Sequence, residues 1–329
     1  DYECYIKKAG GKTSMKWKLY KRGDETVPEI SVIIPVYNLE NDICQMLMSV
    51  KGQSFKDFEA IVIDDGSSDH SYERMCSVLS DDSRFRIFKQ GNYGVSAARN
   101  RGMELAQGKY IIFFDGDDHI PQKSLENMYA SIVSDNFDMT VGIMTTYNYG
   151  KASVNRQSKA LSKKRKIDPD DINFIHTWSQ CNKMYRLSFL SDNGEKFMDV
   201  KVAEDGQFLF QVLSASPRIC GCKHIVYDYI RRPFWQGEHT ASKKVGIKYL
   251  DDRKRVYKDI LKFSEQITEN QTDTKKIEYK DRLVTRFISG GIIQAFYRRI
   301  WRCENVESAL SDTLLLYRPM LSQDAWDDI

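Results

Sequence analysis

Between positions 29 and 118 the chain repeats one pattern: a short apolar run, a polar cluster, then residues with helical spacing. The run at 30–34 ends in Pro35-Val36-Tyr37-Asn38, the run at 58–63 in Asp64-Asp65-Gly66-Ser67, and the run at 110–114 in Asp115-Gly116-Asp117-Asp118. Apolar residues that continue without alternation belong to strands covered on both faces, as in a parallel sheet. Between the runs, Ile43, Leu47 and Val50, then Met75, Val78 and Leu79, share single helical faces, with Asn41, Asp42 and Asp69 as candidate caps. A short strand is predicted at 85–88 and a helix of small residues over 95–106. Leu125, Met128, Tyr129 and Ile132 trace one more helical face. Strand and helix in alternation with short loops predict an α/β fold, a mostly parallel sheet flanked by helices. Such sheets bind ligands beyond the carboxyl ends of their strands, where all three polar clusters stand.

Composition narrows the partners. Across 329 residues, 49 Lys and Arg face 46 Asp and Glu, a net charge of +3, which argues against nucleic acid as a partner. No apolar run approaches the ~18 residues of a membrane span. The chain opens on Asp1 with no signal-peptide pattern, and is expected to be an excerpt of a longer protein. Seven scattered cysteines, an odd number, fit a reducing, cytoplasmic compartment better than a disulfide framework. Cys220-Gly221-Cys222 lacks a second Cys/His pair at zinc spacing and reads as part of a strand.

Two nucleotide chemistries are excluded by their missing glycines. No G-x-G-x-x-G follows the first strand, where a dinucleotide fold needs it. Gly11-Lys12-Thr13 has Ile6 where a phosphate loop needs its first glycine, and Gly108-Lys109 is followed by Tyr110. A carboxylate site remains. Asp115 and Asp117 offer oxygen ligands of the kind that suits Mg²⁺ or Mn²⁺ bridged to a substrate's phosphates, which points to a sugar nucleotide.

Four motifs carry a family resemblance. Ser31 to Asn38 (SVIIPVYN), Asp64 to Asp69 (DDGSSD), Gly94 to Gly102 (GVSAARNRG) and Asp115 to Asp118 (DGDD) resemble, in order and spacing, glycosyltransferase family 2. That is the inverting GT-A group that builds bacterial surface polysaccharides. The match is dense over 29–118 and looser to about 242. The resemblance implies that Pro35 and Tyr37 line the pocket for the base, that Asp65 bonds uracil, and that Arg99 and Asp115 sit by the nucleotide and sugar. It makes Asp117 the metal ligand, with Mn²⁺ or Mg²⁺ as cofactor. Arg99 as a structural partner of an acidic strand end stays open, as do loop roles for Asp64 and Asp118.

An inverting transfer needs one carboxylate to take the acceptor's proton. Glu204-Asp205-Gly206 precedes an apolar helical run at 208–213, and the dipole at a helix start is expected to keep these carboxylates ionised. Simple capping is the alternative. The resemblance makes Asp205 the base and Glu204 its neighbour, orienting acceptor or base. Cys181 to Arg186 (CNKMYR) also resembles the family, with Cys181 in place of the usual aromatic. His239, in the segment where many relatives close the donor site, is a further candidate for the metal.

The expected organisation is a lead-in at 1–28, a GT-A domain at 29–244 (donor half 29–118, acceptor half 119–244) and a helical region at 245–329. Residues 151–166 carry seven basic groups and no acidic one. They read as a solvated face, or as a rim that attracts a phosphorylated acceptor. Arg298, Arg299 and Arg302 beside Phe296, Tyr297 and Trp301 read as a packed helix or as a peripheral contact with anionic lipid. The helical region is expected to build the acceptor groove, mediate self-association, or join a fused or associated second transferase domain. Asn270-Gln271-Thr272 is a glycosylation sequon that a cytoplasmic protein leaves unmodified.

The expected function is a metal-dependent transfer from a UDP-sugar to a hydroxyl of a cell-surface glycan, lipid-linked or teichoic-type acceptor, at the inner face of the plasma membrane. A sugar-nucleotidyltransferase lacks its glycine-rich basic loop here. A pseudo-transferase that binds or scaffolds glycan is the alternative.

Overall fold

The computed structural model describes residues 2–9, 12–19, 27–148 and 150–231, with helical positions between 252 and 262. Two strands, β1 (Tyr2–Ala9) and β2 (Lys12–Leu19), pair antiparallel in the segment read from sequence only as a polar lead-in. The main sheet begins with β3 (Ile30–Val36), β4 (Phe58–Asp64), β5 (Phe85–Lys89) and β6 (Tyr110–Phe113), all parallel in the spatial order β6-β3-β4-β5. Helices α1 (Ile43–Lys51), α2 (Ser71–Leu79) and α3 (Val95–Leu105) make the crossovers. They agree with the predicted positions.

After α4 (Ser124–Val133) the sheet becomes mixed. It continues through β7 (Met139–Asn148), β8 (Lys151–Val154), α5 (Arg156–Ser162), β9 (Lys183–Arg186), α6 (Leu187–Asp192), α7 (Glu204–Ser214) and β10 (Ile219–Arg231). The order is β10-β7-β9-β6-β3-β4-β5, with β8 paired to β7. β9 lies antiparallel between β6 and β7, so β7 and β10 run in the same direction as β6.

Strand pleating sends alternate side chains to opposite faces. Ile30, Val32, Ile34 and Val36 of β3 face one cluster, with Leu47 and Val50 of α1, Met75 of α2 and Leu125 and Met128 of α4. Ile33 faces the other, with Ala98 of α3 and Phe208, Leu209 and Val212 of α7. Both faces are covered, which is why β3 and β4 are buried at every position and read as unbroken apolar runs. Each such side chain contributes about 1.5–3 kcal/mol on burial. The beginning of the helical region docks on α7: Val256 and Ile260 join its core cluster, and Asp259 accepts from Gln207 at 3.2 Å. The rest of 245–329, including the basic-aromatic patch and the sequon, lies outside the described residues.

The basic segment is neither a loop nor a rim of the acidic pocket throughout its length. Residues 151–154 are β8 and 156–162 are α5, whose Ser158 and Leu161 are buried. The exposed residues Lys163 to Lys166 lead into Ile167, which bridges Ile219 at the amino end of β10. That end is level with Met139 of β7 and Ile111 of β6. Four residues along β6 and three strands sideways separate it from Asp115, on the order of 20 Å. Lys164 pairs with Asp171, and Arg165 with Asp135 at 2.9 Å. For Lys163 to Lys166, the exposed part of 151–166, the structure favours the solvated face over the rim, because strand direction carries them to the end of the sheet opposite Asp115.

Candidate active site

The carboxyl ends of β3, β4 and β6 stand side by side. Asp65 N–H donates to Val36 O at 2.8 Å, and Phe114 N–H to Ile33 O at 3.0 Å, which brings the three polar clusters to one edge. Much of the second cluster is spent on its own loops. Asp64 is fully buried and accepts from Ser67 N–H at 3.0 Å; Ser67 Oγ accepts from Asn38 N–H, and Asp69 Oδ2 from Glu40 N–H. Gly66 sits at φ +75°, where a Cβ would stand 2.8 Å from Asn92 N, so only glycine fits that turn.

Asp65 is buried and accepts from Gln90 Nε2 (2.8 Å), Tyr93 N–H (3.0 Å) and Gly94 N–H (2.8 Å). In this state its carboxylate holds the loop that starts α3. Pro35 is buried within β3, while Tyr37 is 46% exposed at the mouth. Gly116 lets the acidic turn close onto β3: a Cβ there would lie 2.8 Å from Leu39 Cδ1 and 3.1 Å from Pro35 O.

Arg99, 2% exposed on α3, lies at the centre. Its Nη2 donates to Asp115 Oδ1 at 2.8 Å and its Nη1 to Asp205 Oδ1 at 2.9 Å, with Glu204 Oε1 at 3.6 Å. The guanidinium also lies 5.2 Å from the centroid of the Phe197 ring, which stacks on Phe208 of α7. A rigid planar fork suits two carboxylates at once. Arg99 thus ties the acidic turn after β6 to the start of α7, the structural partnership left open by the sequence.

Glu204 and Asp205 occupy the first turn of α7, as predicted. The expectation that the helix dipole governs their ionisation is corrected. Burial raises Glu204 to about 8, the Asp205 charge adds to this, and Arg99 offsets part of it. Burial also lifts Asp205 above the usual carboxylate value, against the pull of Arg99. A dipole at an exposed helix end is worth a fraction of a kcal/mol to about 1 kcal/mol, less than the cost of taking a carboxylate out of water. Burial thus favours a proton on Glu204, while Asp205 is the carboxylate that Arg99 holds more closely, at 2.9 Å against 3.6 Å. Ala203, just before them, adopts left-handed φ of 68°, a strained conformation that sets the direction in which α7 starts.

On the acidic turn, Asp115 is paired with Arg99 and Asp117 is half-buried. Asp118 faces inward, accepting from the Tyr227 hydroxyl and from Ile230 N–H at 2.7 Å. Burial pushes its carboxyl well up, and the charges of Asp117 and Asp115 add to that. Asp118 therefore fastens the turn to β10, the loop role that the sequence left open. Among the described residues no three His, Cys, Asp or Glu side chains converge to enclose a metal ion. Asp117, half-buried on the turn after β6, offers oxygen ligands of the kind that suits a hard divalent ion, which keeps waters and takes its remaining ligands from substrate phosphates. His239 lies outside the described residues.

Sequence reasoning missed the group behind Asp205. Gln180 Nε2 donates to Asp205 O at 2.7 Å, Tyr185 donates to Gln180 Oε1, and the Trp178 ring lies against Gly206. The signal available was Cys181 to Arg186, noticed as a motif but given no role. Cys181, where the family's aromatic usually stands, is fully buried, while Trp178 packs against the core nearby.

Comparison with known proteins agrees with this geometry. Residues 31–194 match the family described as Glycosyl transferase family 2. Over 212 residues the chain is 31% identical to glycosyltransferase GlyA of Streptococcus pneumoniae, covering 61% of this chain and 30% of GlyA. It is 28% identical over 271 residues to the poly(ribitol-phosphate) beta-N-acetylglucosaminyltransferase TarP of Staphylococcus aureus, covering 80% of each. The chain spans 30% and 56% of the lengths of the first two relatives it matches. Among solved structures, Staphylococcus aureus TarS in complex with UDP-GlcNAc superimposes with a TM-score of 0.73 at 22% identity, covering 90% of this chain and 82% of that one. With the GT-A-type sheet and all four motifs at one edge of it, the chain belongs to glycosyltransferase family 2.

Proposed function

We propose that this chain is a metal-dependent, inverting glycosyltransferase that moves a hexosyl or N-acetylhexosaminyl group from a UDP-sugar to an acceptor hydroxyl. The observation that carries the reading is the Arg99 bridge. It places a carboxylate of the acceptor half, Asp205, within one guanidinium of the donor-side turn at Asp115. In the transfer, the acceptor hydroxyl attacks the anomeric carbon from the face opposite the nucleotide. Asp205 takes its proton, the bond from that carbon to the diphosphate oxygen breaks, and UDP leaves. Glu204, protonated at neutral pH, donates a hydrogen bond that orients the acceptor. Tyr37 offers an exposed aromatic face to the base. A divalent ion held by Asp117 would stabilise the charge that develops on the departing diphosphate.

The names of TarP and TarS make UDP-N-acetylglucosamine the first donor to test, and a teichoic-type or lipid-linked glycan the first acceptor class. Lys151, Arg156 and Arg231 are exposed on the acceptor half, where they suit an anionic acceptor. Work on nucleotide sugars at the cytoplasmic face of the plasma membrane is part of this proposal, as is cooperation with a second transferase domain. No described helix is long and apolar enough to cross a membrane.

The test is UDP release from a panel of UDP-sugars with Mn²⁺, with and without EDTA, for the wild type and Asp205→Asn. The variant should lose about 10²–10⁴-fold in kcat, and EDTA should abolish turnover. Equal turnover in wild type and variant would overturn the base assignment. The absence of turnover with any donor and a range of acceptors would favour a glycan-binding scaffold.

A further inference from the structure

Lys183 opens β9 and is wholly inaccessible to solvent. An ammonium in such a place needs acceptors for all three of its protons. Its Nζ donates to Thr177 O at 2.6 Å, Ser179 O at 2.5 Å and Asn182 Oδ1 at 3.0 Å. The Asn182 amide in turn donates to Gly142 O of β7 at 2.8 Å, so the acceptor is itself anchored. Residues 177–182 are thereby wrapped around one buried cation.

That segment grips the start of α7 at two adjacent residues. Gln180 Nε2 donates both to Trp178 O (2.8 Å) and to Asp205 O (2.7 Å), and its Oε1 takes the Tyr185 hydroxyl. The Trp178 ring fills the space over Gly206, where a Cβ would come within 2.7 Å. Electrostatics act alongside geometry. The Lys183 charge stabilises ionised Asp205, adding to Arg99, while Asp115 opposes both. On Lys183 itself burial acts first and brings it down to about 7, with the charge of Asp205, then any on Cys181, pulling it back up.

We propose that Lys183 is a positioning residue for the transfer step: a buried ammonium that folds residues 177–182 against the first turn of α7 and adds its positive charge to that of Arg99 at Asp205. This rests on the reading of Asp205 as the base. The role is distinct from that of Arg99, which contacts Asp205 directly, and from donor binding, since Lys183 is closed to ligand.

The experiment uses the full chain, with UDP release from UDP-N-acetylglucosamine in Mn²⁺ as the probe of turnover and UDP titration calorimetry as the probe of the donor half. Lys183→Met should lower kcat roughly 10²-fold, the effect of a displacement of about 1 Å, with UDP affinity within about twofold of wild type. The acid limb of its kcat–pH profile should move to higher pH, because one positive charge no longer favours ionised Asp205. Gln180→Ala breaks the grip on Asp205 but keeps the cation, so kcat should fall while the acid limb stays in place. Wild-type kcat in Lys183→Met, or a lower kcat with an unmoved acid limb, would overturn the proposal. Where Lys183→Met fails to fold, wild-type kcat in Gln180→Ala would overturn it instead. Full turnover in Asp205→Asn would remove the base reading; an inactive Asp205→Asn with an unaltered Lys183→Met would remove only this proposal.

Discussion

Replacing Arg99 by Met separates the two roles that a buried arginine near a nucleotide site can have. Met keeps the length and apolar stem and removes the charge. Two close carboxylate contacts, at 2.8 and 2.9 Å, and the Glu204 approach at 3.6 Å lose their cation together. Removing one partner of a buried ion pair costs about 3–5 kcal/mol. For a domain of this size that predicts a fall in Tm of roughly 6–20 °C.

The loss also has a sign with pH. Without Arg99, burial raises Asp205 further, so the variant takes up protons as pH falls and recovers part of its stability. The gap between wild type and variant should narrow from pH 8 to pH 5. Turnover should fall with the loss of an ionised Asp205, while UDP binding, measured by calorimetry on folded protein, should stay within a few-fold. An unchanged melting curve combined with lost UDP affinity would refute this account and make Arg99 a nucleotide ligand.

Two further outcomes are expected. Glu204 holds its proton to about 8 in the fold against 4.5 ordinarily. Its contribution to stability is therefore complete below pH 4.5 and is lost as pH rises through about 8. Glu204→Gln cannot ionise, so by thermal melts it should match the wild type near pH 4.5 and exceed it at pH 8.5 by roughly 3–5 kcal/mol; parallel pH dependences would refute the burial argument. Charge reversal of Lys163 to Lys166 should leave the apparent acceptor KM unchanged at low and moderate salt, since these residues stand at the far end of the sheet from Asp115; a salt-sensitive rise in KM would refute that placement.

The first half of the sheet was legible because its information is local. Ile30 to Val36 and Phe58 to Asp64 are buried on both faces, so their burial pattern and their composition are the same signal. Their polar ends were legible for the same reason, since a parallel sheet has one ligand-binding edge. β9 was harder. It is short and lies antiparallel between β6 and β7, and nothing in Lys183 to Arg186 states which strands it will separate. The lead-in hairpin was missed although Met15 to Leu19 (MKWKL) alternates apolar and polar residues, because its partner Tyr2–Ala9 shows no such alternation.

Within the site, residue types were readable and their electrostatic states were not. Asp65, Arg99, Asp115 and Asp205 stood out by motif, yet 106 positions separate Arg99 from Asp205 and only the folded sheet brings them to 2.9 Å. The ionisation of Glu204 was misjudged because a dipole can be inferred from a helix start, whereas desolvation depends on everything packed around it. Lys183 was passed over because lysine in a sequence reads as a surface residue. By itself the sequence determined the strand–helix alternation and which edge carries the chemistry, since both follow from short-range periodicity. Tertiary structure alone decided which carboxylates are paired, which keep their protons, and which lysine is buried. Charge interactions depend on distance and on exclusion of water, and neither exists until the chain has closed on itself.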